Sequence, residues 1–393
     1  EIRLSLVGSE MCIRDRSKVG LKVPTANEMA KKYGSMIKLA SEVTDTDLYI
    51  PSTFFALNYL FGKGIPYGKI VEIAGEESSG KSLVAYNFAY ATQQLGGHVI
   101  WVDAEQSWMN SWAEINGVDP ARVTIVNDTR IEYIADVVAD LAIYLRSQLT
   151  HNEPILLVID SIAATDCTDN IDAKMVDGKA EMGGRAKALY KYFRIRSELF
   201  YKLGVSQIYI NQLRTALNVG FGKDNTTTTG GAALKFYASI RAAFYSGRSV
   251  TIKQNGKERK AGKLVTIRLI KNKVAPPRPT ISKCPVYFNP KFHEVGFDRC
   301  YALEDVLVDT DVIEKTTGGY KLKGKTLARG EEKFQKLLEE DDELRRKLLR
   351  KAGVNTIGTT KKQLEKIETN LFPVDGVEYE NYSDSEEEEE DDE

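Results

Sequence analysis

Cysteine and histidine are scarce in this 393-residue chain, with four of one and three of the other. Cys12, Cys167, Cys284 and Cys300 show no C-x-x-C spacing, and His98, His151 and His293 are scattered, so neither a disulfide framework nor a metal site built on these residues is expected. A reducing cytoplasm fits this usage. Long apolar runs are missing too: none, Ile155 to Ile159 included, approaches the roughly 18 residues a membrane-crossing helix needs, so no membrane partner is expected. Aromatics are sparse at 9%, but hydrophobic residues make up 42% and charged residues 28%. That balance excludes a disordered or fibrous chain and allows one large globular domain plus a smaller one. Net charge is small as well, −2, yet nine acids fall within Ser383 to Glu393 and leave +7 on the other 382 residues. The near-neutral total hides a basic body with an acidic tail.

Residues 1–16 lack an initial Met and a signal-peptide core, and they resemble translated sequencing-adaptor sequence. They are expected to be non-native, with the native amino terminus missing. Thr25 and Glu28 stand at capping-box spacing and open a short predicted helix towards Lys32, while Met36, Ile37 and Leu39 suggest an extended piece. Residues 17–47 therefore read as a small arm that packs on its own core or on a neighbouring subunit. From Lys69 to about Ile270, β-rich runs alternate with helical patterns. Ile70–Ile73, Val99–Asp103, Val123–Val126, Ile155–Asp160, Gln207–Ile210, Ile240–Tyr245 and Val265–Ile270 read as strands, and Ile131, Ile134, Val138, Leu141 and Leu145 fall at helical spacing. This alternation predicts an α/β fold with a mostly parallel, doubly wound sheet, over 48–288. After Pro276, Pro277 and Pro279 the pattern changes to short helices with a turn at Gly318-Gly319, so 289–372 reads as a small α-rich domain. Residues 373–393, too poor in apolar groups to offset their ordering entropy, read as a disordered acidic tail.

Gly75-Glu76-Glu77-Ser78-Ser79-Gly80-Lys81-Ser82 follows a predicted strand and opens a predicted helix, which is the context a phosphate-binding P-loop requires. Its glycines let backbone N–H groups turn inward around phosphate oxygens, Lys81 supplies a point charge to the β and γ phosphates, and the Ser82 hydroxyl can ligate Mg²⁺. Asp160 ends an apolar strand at the carboxyl edge of the sheet, where it can help hold the same metal; an ordinary polar strand end is the competing reading. Asp103-Ala104-Glu105 reaches that edge from a second strand, and one of its carboxylates could polarise an attacking water. Glu105 is preferred because it lies beyond the strand end, although the residues alone do not rank it above Asp103. The segment 211–231 is long and poor in core-forming residues. Arg214, its hydroxyls and its glycine N–H groups suit phosphate contacts, while Leu217, Val219 and Phe221 could wedge between bases; a flexible lid fits the composition equally well.

Several motifs, in order, resemble the bacterial RecA recombinase family: Glu77–Ser82, Asp103-Ala104-Glu105, Asn211-Gln212, Thr228-Thr229-Gly230-Gly231, the segment Ala233 to Ser239, and Lys271-Asn272-Lys273. The similarity runs from about Val23 to Gly353. It implies a RecA-type P-loop ATPase core with an ATP- and Mg²⁺-dependent filament on single-stranded DNA, which pairs that strand with homologous duplex and exchanges strands in recombinational repair. By the resemblance, Glu105 is the catalytic glutamate, Gln212 senses the γ phosphate and passes its state to the DNA-binding loop, and Lys271 and Lys273 reach ATP held by the adjacent subunit. Trp112 stands where the family stacks a tyrosine on adenine, and Met109 where it has an aspartate, which implies relaxed discrimination between ATP and other nucleoside triphosphates. The segment 211–231 becomes the second DNA loop, containing Thr228, Thr229, Gly230 and Gly231. The first lies near 171–185, with Met182 and Gly183 matching the family, Arg185 departing from it and Lys187 replacing an arginine. Single-strand-binding and mediator proteins are further implied partners.

The basic clusters Lys321, Lys323, Lys325, Arg329 with Tyr320, and Arg345, Arg346, Lys347, Arg350, Lys351, fit a duplex-DNA landing patch or, equally, a solvated helical face beside the acids of 339–343. Two other functions share parts of the pattern. A hexameric helicase-type motor would use the same P-loop and Asp160, but the Thr-Thr-Gly-Gly loop and the small terminal domain argue against it. A non-catalytic recombination mediator is opposed by Lys81, Glu105, Gln212, Lys271 and Lys273.

Overall fold

The computed structural model describes residues 48–150, 152–173, 183–215, 226–254, 256–278, 280–291 and 293–365. The amino-terminal segment and arm, the acidic tail, and Met182, Leu217, Val219 and Phe221 lie outside these residues. Two short strands, β1 (Tyr49–Ile50) and β2 (Ile65–Pro66), flank helix α1 (Phe55–Phe61). The main sheet is then built from β3 (Ile70–Gly75), β4 (His98–Asp103), β5 (Val123–Val126), β6 (Ile155–Asp160), β7 (Val205–Thr215), β8 (Thr226–Thr228), β9 (Ile240–Gln254), β10 (Lys257–Asn272), β11 (Ile281–Tyr287) and β12 (Gly296–Phe297). Their order is β12-β11-β10-β9-β3-β7-β6-β4-β5, with β8 on β7. Six strands, β9-β3-β7-β6-β4-β5, run parallel; β8, β10, β11 and β12 join antiparallel.

The sheet is covered on both faces, which explains why β3 and β6 are buried at every position and read as near-continuous apolar runs. On one face, α2 (Lys81–Gln94) inserts Leu83, Val84 and Phe88 into a core that includes Val71, Ile73 and Phe244, with α3 (Asn110–Ile115) at its edge. On the other, α4 (Ile131–Gln148) buries Ile131, Ile134 and Val138 as predicted, with Leu141 and Leu145 only half-buried beside Ala142, and after the short α5 (Thr168–Asp172), α6 (Gly184–Lys202) adds Leu189, Tyr192 and Phe193. A last short helix on the core, α7 (Ala233–Tyr237), precedes β9.

Two features differ from the sequence reading. β11 follows the prolines at which the predicted strands end, and it holds Pro285, a residue that disfavours a strand flanked on both sides. Cys284 and Val286 on either side are fully buried and hold it in place. The terminal segment is helical, with α8 (Leu303–Asp309), α9 (Glu331–Glu340), α10 (Asp342–Lys351) and α11 (Ile357–Leu364), but it also carries a three-stranded antiparallel sheet of β13 (Glu314–Thr316), β14 (Gly319–Leu322) and β15 (Lys325–Ala328). These strands of three or four residues are too short to show a period of two. Tyr320 is their anchor, buried and stacked on Phe334 with ring centroids 4.4 Å apart. A ring so placed cannot stack on a base.

Candidate functional site

The P-loop lies between the carboxyl end of β3 and the first turn of α2. Gly80, in the left-handed region at φ +84°, makes the turn into the helix, and a Cβ on it would approach the Phe297 ring to 3.1 Å. The Glu76 N–H donates to Phe244 O at 3.1 Å, Ser79 Oγ to Glu76 O at 2.8 Å, and Lys81 Nζ to the same carbonyl at 2.7 Å, so the loop is closed on itself and on β9. Burial pulls the Lys81 ammonium below its ordinary range, opposed by the charges of Asp160, Glu105, Glu77 and Glu76. Ser82 Oγ donates to Asp160 Oδ2 at 2.8 Å. The Asp160 carboxyl is pushed up to about 6, chiefly by burial and then by Glu105 and Asp103, against the Ser82 hydrogen bond and Lys81. A hydroxyl beside a carboxylate is a hard oxygen pair of the kind Mg²⁺ takes when phosphate and water complete its shell. Among the described residues no cluster of three or more His, Cys, Asp or Glu could hold a metal by itself.

The geometry separates the two carboxylates that the sequence left unranked. Asp103 is buried, and its two oxygens accept the backbone N–H groups of Ser107 and Trp108, each at 2.9 Å, so it ties down the turn after β4. Glu105 is exposed. Its carboxylate accepts the Ser161 hydroxyl, and its own N–H points at Asp160 O, 3.4 Å away. Of the two, Glu105 is the carboxylate free to meet solvent and ligand beside the P-loop.

Trp112 borders two cavities. One, of about 400 Å³, is lined by Ser78 to Leu83, Trp112, Phe288, Lys260 and Lys263. The other, of about 370 Å³, has Ser82 and Asp160 on one side and Tyr86, Trp101, Trp108, Met109 and Trp112 around it. The rings of Tyr86, Trp101 and Trp108 pack within 4.8 to 5.4 Å of one another and give this wall its rigidity. Phe288, Lys260 and Lys263 were not singled out from sequence.

Gln212 sits in the register of β7 directly beside Gly75 of β3, exposed, at the start of the long segment. Its neighbour Asn211 is buried, donating to Glu72 Oε1 at 2.9 Å and to Thr229 O at 3.1 Å, and accepting from Thr229 Oγ1 at 2.5 Å. Arg241 Nε donates to Glu72, itself buried in β3. A polar network therefore joins the P-loop strand to both ends of the 211–231 segment. Its sequence signal was a lone acid in the apolar run Ile70 to Ala74. Thr228 is buried and pairs with Leu213, while Gly230 and Gly231 adjoin α6 so closely that a Cβ would come within 2.8 Å of Leu189 and 3.1 Å of Ala186. Arg214 lies in β7.

Lys271 and Lys273 are at the amino-terminal end of β9, where Lys271 faces Arg241, whereas the P-loop follows the carboxyl end of β3. Lys271 Nζ donates to the carbonyls of Lys235 and Phe236, at 2.7 and 3.1 Å, and burial, then Lys273 and Arg241, pull its ammonium down. Neither lysine lines either cavity of its own chain beside the P-loop. Next to them Phe236 is 70% exposed. Gly183 starts α6 at φ +92°, Arg185 pairs with Asp166 at 3.5 Å, and Lys187 faces a hollow shared with Tyr190, Lys191, Arg194 and Ala232. That basic helical face, with Tyr190 half-exposed, is a nucleic-acid candidate whose residues beyond Lys187 sequence reasoning passed over. In the terminal segment Arg345 donates to Leu338 O of α9 and to Asp342, which ties α10 to α9, while the exposed Arg346 pairs with Asp342 within α10 itself.

Residues 23–289 match the RecA N-terminal domain. The chain is 31% identical over 345 residues to a protein named Protein RecA from Corynebacterium efficiens, covering 86% of this chain and 84% of the relative. It is 32% identical over 316 residues to Protein RecA of Corynebacterium urealyticum, 80% of each, and 33% over 334 residues to that of Nocardioides sp., 82% and 87%.

Proposed function

The chain belongs to the RecA family, and from that premise we propose that it is a DNA-dependent ATPase that forms helical filaments on single-stranded DNA and exchanges strands with homologous duplex. The observation that carries this reading is the junction of P-loop, Asp160 and Glu105 with Gln212, the residue beside Gly75 from which the 211–231 segment departs. ATP phosphates are held by N–H groups of Glu76 to Ser82 and by Lys81, with the base against Trp112. Ser82 and Asp160 would hold Mg²⁺, which when bound would supply positive charge at the phosphates. Glu105, kept in place by Ser161, orients and deprotonates the attacking water, and Gln212 couples occupancy to the DNA loop through its place between β3 and that segment.

Lys271 and Lys273, away from their own P-loop and beside the exposed Phe236, act on ATP of a neighbouring subunit, so that turnover depends on assembly. Residues 17–47 serve as the oligomerisation arm and 289–372 as the duplex-gathering region. DNA contacts come from Met182, Gly183, Arg185, Lys187, Arg214, Leu217, Val219, Phe221 and Thr228 to Gly231. Single-strand-binding and mediator proteins are its partners, and the cytoplasm its compartment.

The test is ATP hydrolysis with and without single-stranded DNA, for the chain from Ser17 and its Lys81→Ala and Glu105→Gln variants. Strong stimulation by DNA that both variants lose is the expected result. Hydrolysis indifferent to DNA would move the reading to another motor of this fold, and DNA binding without hydrolysis to a mediator.

A further inference from the structure

β9 and β10 do not stop at the edge of the parallel sheet. Phe244 pairs with Gly75 at the end of β3, yet β9 runs on to Gln254, so the β9–β10 hairpin overhangs the P-loop edge by roughly 30 Å at about 3.3 Å per residue. The returning strand carries Lys257, Arg259, Lys260 and Lys263 against a single acid, Glu258. In a regular strand, residues three apart face opposite sides. Here Lys260 pairs with Thr251 and Gly262 with Val250, so Ala261 is an extra residue on β10, and this bulge turns Lys260 and Lys263 to the same side. That side is the 400 Å³ cavity. Gly262 fixes the arrangement: a Cβ there would lie 2.0 Å from Val286 O, so β10 is pressed onto β11, and Phe288 N–H donates to Ala261 O at 3.0 Å. Both lysines and Phe288 thus line the same cavity as Leu83, Trp112 and the P-loop.

No carboxylate lines this cavity, and among the described residues neither lysine's ammonium has an ion-pair or hydrogen-bond partner. An ammonium is a donor only and gains most from an anion. We propose that Lys260 and Lys263 are a second cationic jaw for the nucleotide, closing on its phosphate chain from the side opposite the P-loop and favouring the triphosphate over the diphosphate. This rests on the reading of the P-loop cavity as the ATP site. The jaw belongs to the same subunit as the P-loop, so it acts without a neighbour and without DNA.

The experiment is equilibrium binding of Mg·ATP and Mg·ADP to the full chain without DNA, at low and high salt, for the wild type, the Lys260→Gln/Lys263→Gln double variant, the Lys260→Arg/Lys263→Arg double variant and Lys81→Ala. In the glutamine variant, ATP affinity is expected to fall about tenfold, the size of two partly exposed charge contacts, and ADP affinity less. The salt dependence flattens, the arginine variant recovers most of the affinity, and with DNA the loss shows in KM more than in kcat. If the glutamine variant binds ATP as tightly as the wild type while Lys81→Ala does not, the jaw is refuted and the nucleotide site stands. A glutamine variant that loses only single-stranded DNA affinity would also overturn it, assigning the hairpin to DNA. A wild type that binds no ATP removes both the jaw and the reading beneath it.

Discussion

Two carboxylates two residues apart do different work, and the difference lies in what each oxygen touches. Asp103 has both oxygens committed to backbone N–H groups, so Asp103→Ala strands two donors at about 1–3 kcal/mol each and is expected to lower Tm clearly. Glu105 is exposed and makes one side-chain contact, so Glu105→Gln should leave Tm unchanged while kcat falls by roughly 10² to 10⁴, the range of a lost general base. Thermal melts and steady-state hydrolysis on the two variants separate these effects. Reversal of the pattern, with Glu105→Gln melting early and Asp103→Ala losing only activity, would exchange their roles.

At the scale of elements, the sheet is tuned by polar groups between strands. His98 begins β4 and its ring shares a 2.9 Å hydrogen bond with Thr124 on β5. Burial, with the Arg122 charge behind it, holds this imidazole below the ordinary value of 6.5. The folded state therefore resists protonation. Its contribution to stability is whole above pH 6.5 and is lost as pH falls below that value and through the lower folded one. Wild-type Tm is expected to drop between pH 7.5 and 5, and His98→Gln to drop less; equal slopes would show that the ring carries no linkage. The Glu72–Arg241–Asn211–Thr229 network does a different task, joining β3, β9, β7 and the far end of the 211–231 segment without passing through the nucleotide.

For the whole molecule the charge distribution sets the expectation. A body of +7 carries an acidic stretch of nine charges, and at low ionic strength such a stretch competes with nucleic acid for the same cations. Removing Ser383 to Glu393 is expected to raise duplex-DNA affinity at 50 mM salt, with the difference shrinking as salt approaches 300 mM, where the Debye length is only about 6 Å. Identical binding curves for the two chains across the series would remove the tail from this role. No described helix is long and apolar enough to cross a membrane.

The sequence by itself determined the elements whose physics is local. The P-loop was legible because its glycines, Lys81 and Ser82 are contiguous, and β3 and β6 because strands buried on both faces are apolar along most of their length. What the tertiary structure alone decided were relations between distant segments. It set Asp103 apart from Glu105, since hydrogen bonds to residues 107, 108 and 161 are invisible in a strand pattern. It placed Tyr320 in a core rather than on a surface, where a ring beside lysines has the same composition. It turned two lysines on a hairpin, some 180 residues from the P-loop in sequence, towards the same cavity through one extra residue at Ala261. Composition records which charges a strand carries; only the register across the sheet fixes the side they face, because a one-residue slip reverses it.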